Sequence, residues 1–237
     1  MARRGPSRAL DVRVGREVGF VFQNPDHQIF ERTVRDEVAF GPENFGLAGE
    51  QLDRRVTEAI ETVELDGLAE ADPFNLSKGQ RQRVALASIL ATDPDVIVFD
   101  EPTTGLDAAQ QARFMDLVSR LNREDGLTVV MVTHDMGSVA YYAPRTVVME
   151  EGRVVADAPT REIFADEDRL DSWELRPPQP VALSNALSRT LDPEGALPAL
   201  SVGEVVESLG GSEAAPGDRR RGTGREDDRS HEGGDGA

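Results

Sequence analysis

Short continuous apolar runs recur along this chain between polar segments. Four of them have the length of a buried strand: residues 18–22, 96–99, 128–133 and 146–149. The last is followed by Glu-Glu-Gly and a further apolar segment at residues 153–156, which predicts a hairpin. A run without alternation, such as residues 96–99, is typical of a strand that is covered on both faces in a parallel sheet.

Helical spacing of apolar residues separates these runs. Three segments show it: residues 51–65, 77–90 and 108–123. Strand, helix and strand in this order form a βαβ unit, which predicts an α/β fold with an open parallel sheet. Function is then expected at the carboxyl ends of the strands.

The carboxyl-terminal part of the chain has a weaker pattern. Residues 181–191 and 202–209 show short helical patches, and residues 210–237 are almost devoid of apolar side chains, which predicts disorder. We expect a globular domain over residues 1–165 with a helical subdomain at about residues 33–92. We expect this domain to be followed by an extension over residues 166–209 and a disordered tail over residues 210–237.

The composition narrows the function classes. The net charge is −18, with 44 acidic residues against 26 basic ones, and Lys78 is the only lysine. Nucleic acid is disfavoured as a partner, because binding it requires basic patches. A strong negative charge fits a halophile, although genomic GC bias would also replace lysine by arginine. The absence of cysteine excludes disulfides and thiolate chemistry. No apolar stretch approaches the roughly 20 residues that cross a bilayer, so we expect a cytoplasmic protein.

Two adjacent carboxylates, Asp100 and Glu101, follow the apolar run at residues 96–99. Neighbours at a strand end point in different directions, so one carboxylate can hold Mg²⁺ while the other orients or deprotonates a water molecule. Taken alone, the pair would more often be a solvated acidic turn.

Three further polar sites stand at element ends. Gln23 follows the first strand and His134 the third, and Ser77 with Gly79 opens a helix, whose free N–H groups favour an anion. Each has a simpler explanation: a solvated turn, a structural histidine and an ordinary helix N-cap, respectively.

In order and spacing these sites resemble those of the ABC ATPases over about residues 16–165, which implies a P-loop NTPase-like core. Gln23 is similar to the Q-loop glutamine, residues 76–80 to the signature motif, and residues 96–100 to the Walker B strand. The family's assignments imply Glu101, His134 and Gln23 as catalytic residues, and Asp100 with Gln23 as Mg²⁺ ligands. By the same resemblance four residues bind ATP: Ser77, Gly79, Gln80 and Asp107. Lys78 departs from the commonest signature, which has glycine at that position.

Within the family, residues 23–30 and 33–42 are similar to the ATPases of energy-coupling-factor importers. The resemblance implies an ATP-hydrolysing subunit that powers import of a metal ion or vitamin. Its implied partners are a second ATPase subunit, identical or different, and an integral membrane subunit that meets the segment after Gln23. The ATPase subunit would therefore be a peripheral protein at the cytoplasmic face of the membrane, without inserting into lipid.

One motif of that family, the Walker A loop, is missing from these residues. A phosphate-binding loop Gly-x-x-x-x-Gly-Lys-Ser/Thr requires a lysine after its second glycine, and Lys78 does not stand there. We therefore expect an incomplete parallel sheet that lacks its amino-terminal strands. Three explanations stay open: a wrongly chosen start, a split or decayed gene, or a nucleotide-incompetent partner that contributes only its signature motif.

DNA-repair and chromosome ATPases are the rival class with these motifs. They insert a long coiled coil between the Q-loop and the signature. The stretch from Gln23 to Leu76 has room only for a compact helical subdomain, and the acidic surface disfavours DNA.

Overall fold

Three parallel strands form the central sheet of the computed structural model, which describes residues 15–191 and 198–210. They are β1 (Val18–Val21), β2 (Val96–Asp100) and β3 (Thr128–Val132), in the order β1-β2-β3. Val21 lies beside Phe99, and Asp100 lies beside Val132. The three carboxyl ends therefore share one edge, and the predicted α/β fold with a parallel sheet is confirmed.

Three of the described helices lie close to where apolar spacing predicted them, at residues 51–65, 77–90 and 108–123, whereas the helices at residues 34–44 and 136–142 were not predicted. The amino-terminal set comprises α1 (Val34–Asn44), α2 (Glu50–Thr62), α3 (Lys78–Leu90), α4 (Ala108–Glu124) and α5 (Met136–Tyr142). Two 3-10 turns, Pro25–His27 and Pro73–Asn75, precede α1 and α3. The predicted helix at residues 51–65 ends at Thr62, because Glu64 takes a left-handed conformation with φ 58°.

The sheet is buried on one face in the part of the chain that the structure describes. Ile97 and Phe99 are fully buried, whereas Phe20 and Val130 on the opposite face are 40% and 47% exposed. Gly19 lies on the buried face, where a Cβ atom would stand 2.1 Å from the Ile89 side chain of α3, so helix and strand need this glycine to meet. Within residues 96–99 themselves, Ile97 and Phe99 are buried and Val96 and Val98 are half-buried, so the described residues cover this strand completely on one face only.

A second apolar cluster lies in the carboxyl-terminal part. The predicted hairpin is confirmed as β4 (Arg145–Glu150) and β5 (Arg153–Pro159), which pair antiparallel. Four helices follow: α6 (Thr160–Ala165), α7 (Glu167–Ser172), α8 (Gln179–Leu191) and α9 (Val202–Gly210). Val148, Phe164 and Val181 are buried in this cluster. The predicted disorder of the tail lies outside the described residues from position 211 on, and the division into domains stays a prediction.

A buried carboxylate, Glu37 of α1, holds the turn that follows the first strand. Its Oε2 atom accepts hydrogen bonds from the backbone N–H groups of Phe30 and Glu31, each at 2.9 Å. Only 3% of Glu37 is exposed. Burial raises the pKa of the carboxyl group, against the opposing effect of the two hydrogen bonds.

Replacement of Glu37 by alanine should lower the free energy of unfolding by about 1–3 kcal/mol, because two partly buried N–H groups lose their acceptor. Glu37→Gln keeps an acceptor oxygen and is the matched control. Since the folded-state pKa is raised, ionisation of Glu37 opposes folding, so the parent protein should lose stability relative to Glu37→Gln as pH rises from about 4 to 7. Urea unfolding at several pH values measures both effects. An unchanged difference across that range would contradict the pH prediction.

Candidate functional site

Four of the predicted site residues lie at the carboxyl edge of the sheet. Asp100 ends β2 and Glu101 follows it, while Gln23 and His134 each stand two positions beyond the end of β1 and β3. The backbone N–H of Glu101 still donates to the carbonyl of Val132, at 2.9 Å, which extends the pairing of β2 with β3. Register between parallel strands thus brings together groups that are distant in sequence.

Glu101 and His134 are in direct contact. The Glu101 Oε1 atom lies 2.5 Å from His134 Nδ1 and accepts the backbone N–H of His134 at 2.9 Å. The hydroxyls of Thr104 and Thr133 lie 3.4 Å and 3.5 Å from Oε2. The glutamate side chain is 17% exposed, whereas the histidine is 85% exposed. The hydrogen bond to Glu101 raises the pKa of His134.

The backbone at Glu101 turns away from the strand. Its φ of 46° lies in the left-handed region, which a residue with a Cβ atom adopts at a cost of about 1–2 kcal/mol. Strain of this kind is concentrated at functional sites. Asp100 keeps the strand conformation, so the two neighbouring carboxylates diverge, as the sequence predicted, and can take different roles.

The contact with Glu101 predicts a result for His134. In Glu101→Gln the pKa of His134 should fall towards its ordinary value. A neutral amide accepts a weaker hydrogen bond from the imidazolium than a carboxylate does, and it carries no negative charge to attract the ring. Titration of the ring proton signals by NMR measures the change. Glu151→Gln is the matched control, since Glu151 has the same φ of 46° but lies in the β4–β5 turn. A His134 pKa that is equal in both variants would contradict the assigned contact.

The predicted signature residues form a second group at the start of α3. Ser77 is the N-cap: its hydroxyl accepts the N–H of Gln80 at 3.3 Å, and the Gln80 side chain accepts the N–H of Ser77 at 3.0 Å. This capping box is the simpler explanation for both residues. Ser77 remains exposed, so the serine can still meet a further partner.

Gly79 and Asp107 both lie next to Gln110 of α4. A Cβ atom on Gly79 would stand 3.4 Å from the Gln110 side chain, and Asp107 Oδ1 accepts the N–H of Gln110 at 2.8 Å. Asp107 is therefore the N-cap of α4. The signature group lies beside the loop of residues 101–107, which connects it to the carboxyl edge.

Sequence reasoning missed the contacts that hold the segment after Gln23. Gln28 Nε2 donates to the carbonyl of Ala85 at 3.0 Å and to the Ser88 hydroxyl at 3.3 Å, both on α3. Asp26 forms an ion pair with Arg81 of the same helix, with the Oδ1 and Nε atoms 2.7 Å apart. The polar residues of this segment were visible in the sequence, but their partners lie too far along the chain to be paired by spacing.

A second missed contact lies behind His134. Asp135 caps α5 by accepting the N–H groups of Gly137 and Ser138, and Gln111 of α4 donates to its Oδ2 atom at 2.5 Å. These hydrogen bonds lower the pKa of Asp135 against the effect of burial. An aspartate directly before a helical run is the sequence signal for such a cap.

The carboxyl edge suits a magnesium ion that also binds phosphate oxygens. Within the described residues no group of three or more His, Cys, Asp or Glu side chains could hold a metal alone. Mg²⁺ is commonly held by one or two protein oxygens, several waters and substrate phosphates. Asp100 and Gln23 supply a carboxylate and an amide oxygen of that kind, so their chemistry fits the ion.

Comparison with known proteins identifies the family. A family model described as ABC transporter matches residues 7–104. The energy-coupling factor transporter ATP-binding protein EcfA of Methanococcus maripaludis is 40% identical over 196 residues, which are 83% of this chain and 70% of that protein. This chain belongs to the ABC transporter ATP-binding family. The predicted resemblance to ABC ATPases is confirmed.

Other ABC proteins extend the comparison. One from Caldanaerobacter subterraneus, with the provisional name of ABC transporter ATP-binding protein, is 50% identical over 193 residues, which are 81% of this chain. This ABC chain spans about a third of that relative's length, 32%. The structure of CbiO1 from Clostridium perfringens, part of the ABC transporter complex CbiONQ, matches with a TM-score of 0.64 and 35% identity. That match covers 72% of this chain and 68% of CbiO1.

The likeness to CbiO1 confirms the predicted ABC ATPase fold. Among the helices that the structure describes, none is long and apolar enough to cross a membrane. Members of this family are named for binding ATP. The role of each site residue in this chain stays a prediction.

Proposed function

We propose that this ABC protein is an ATP-hydrolysing subunit of an energy-coupling-factor transporter that imports a metal ion or a vitamin. The observation that carries the proposal is the pairing of Glu101 with His134 beside Asp100 at the carboxyl edge. Relatives named EcfA support the transporter class. We also propose that the acidic composition is an adaptation to high salt.

In the proposed reaction Glu101 orients the attacking water and accepts its proton. The water oxygen forms a bond to the γ-phosphorus, and the bond from that phosphorus to the bridging oxygen of ADP breaks. His134 holds the carboxylate through Oε1, and the water would bind at Oε2, which the Thr104 and Thr133 hydroxyls contact only at 3.4 Å and 3.5 Å. Asp100 and Gln23 would hold Mg²⁺, whose charge offsets that of the phosphate oxygens.

The signature group is proposed to act across a dimer. Ser77 is exposed at a helix start, where free N–H groups favour an anion. Ser77, Gly79 and Gln80 would contact the nucleotide phosphates held by a second ATPase subunit, with Asp107 at the interface. The glycine-rich loop that holds the phosphates would lie outside these 237 residues.

A membrane partner is proposed to bind near the segment after Gln23. Phe30 and Phe40 are 58% and 44% exposed, and their rings meet edge to face with centroids 4.7 Å apart. Buried Glu37 fixes the turn that carries Phe30. Exposed aromatic pairs on a fixed turn are suited to packing against a helix of another protein. Attachment to the membrane would then be through protein.

The test is ATP hydrolysis by the full chain, alone and in the complex that it captures from source membranes. We expect hydrolysis by the complex and little by the chain alone. Intact mass of the captured protein would show whether residues precede Met1. A complex that binds nucleotide but never hydrolyses it would favour the second candidate, a partner that contributes only its signature face, which the exposed Ser77 supports.

A further inference from the structure

Lys78, the only lysine of the chain, is the first residue of α3. The positive end of the helix dipole disfavours a cation there, so helix stability does not account for the ammonium group. Its hydrogen bond goes instead to the carbonyl oxygen of Thr104, at 2.7 Å. The contact joins the start of α3, the helix that carries the signature residues, to the loop of residues 101–107, which contains the catalytic carboxylate.

The neighbouring glycine leaves the space that this ammonium group occupies. Gly105 has a φ of 76°, and a Cβ atom on it would stand 2.5 Å from Lys78 Nζ. No side chain larger than hydrogen is compatible with the ammonium in its present place. The position of the Lys78 ammonium group therefore depends on Gly105.

Thr104 is itself connected to Glu101. Its backbone N–H donates to the Glu101 carbonyl at 3.2 Å, and its hydroxyl lies 3.4 Å from Glu101 Oε2. The next turn of the loop is closed by the N–H of Leu106, which donates to the carbonyl of Thr103 at 3.1 Å. A restraint on the Thr104 carbonyl thus acts on the backbone that places the catalytic carboxylate.

We propose that Lys78 is a positioning residue that fixes the loop of residues 101–107 to the start of α3, so that the signature helix and Glu101 keep one relative position. The effect on turnover rests on the proposed function of this site, whereas the effect on the loop does not. Lys78, which stands where the commonest signature has glycine, would then act within its own subunit.

Hydrogen exchange of the full chain tests the contact without nucleotide or partners. In Lys78→Met, exchange at the Thr104 and Leu106 amides should rise about tenfold, the size expected for loss of one charge-assisted hydrogen bond. Gly105→Ala should do the same by displacing the ammonium, and the double variant should exceed neither single one. Gly126→Ala is the matched control, because Gly126 has a φ of 72° with nothing within 4 Å of its Cβ position.

Turnover separates positioning from phosphate binding. In the captured complex Lys78→Met should lower kcat about tenfold and leave KM for ATP within twofold, because Glu101 loses its placement while nucleotide contacts persist. Unchanged exchange at Thr104 and Leu106 would overturn the inference, and so would a raised KM with unchanged exchange, which would make the ammonium a phosphate ligand. Raised exchange in the chain, with no hydrolysis by any complex, would support the role of Lys78 and reject the proposed function.

Discussion

Glu101→Gln is expected to lower ATP turnover of the assembled complex by about 100-fold or more while nucleotide binding persists. General-base catalysis contributes about 10²–10⁴-fold to such rates. An amide keeps the size of the carboxylate and can still accept the N–H of His134, but it cannot take a proton from water. The left-handed backbone at this position already accommodates a side chain of this shape, so the fold should be retained.

Phosphate release and equilibrium binding of a fluorescent ATP analogue measure the two properties separately. Glu151→Gln serves as the control, because it makes the same chemical change at a φ of 46° within the β4–β5 turn. Unchanged turnover in Glu101→Gln would remove this residue from the mechanism. Loss of nucleotide binding together with turnover would instead point to a ligand role for Glu101.

Ser77→Arg should abolish ATP-dependent association of two ATPase subunits and, with it, most of the turnover. Ser77 is exposed at the start of α3, so an arginine would fill the space in which the partner's nucleotide is proposed to sit. The variant also loses the N-cap hydrogen bond to Gln80, which costs about 1 kcal/mol of stability.

Ser77→Ala distinguishes these two effects, because it loses the cap but adds no bulk. Light scattering with and without ATP should show association in Ser77→Ala and none in Ser77→Arg, and urea unfolding should show a similar loss of stability in both. Equal association of the two variants would reject the dimer role of Ser77.

The strands and the longer helices could be predicted because their patterns depend on neighbours in sequence. Residues 96–99 consist of valine, isoleucine and phenylalanine, which strands favour, and Ser77 with Gln80 three positions later is a capping signal that needs no other part of the chain. The βαβ order limits the sheet to few topologies. The exposure of Phe20 and Val130 could not be predicted, since it depends on a second layer that a strand sequence does not describe.

The sequence by itself determined the order of strands and helices, the family, and which polar residues follow which strand. Only the tertiary structure decided that His134 contacts Glu101, that Lys78 reaches Thr104, and that Gln28 binds α3. The physical reason is that hydrogen bonds between residues distant in sequence depend on strand register and helix packing. Both result from the packing of the whole core, whereas spacing along the chain reports only local backbone geometry.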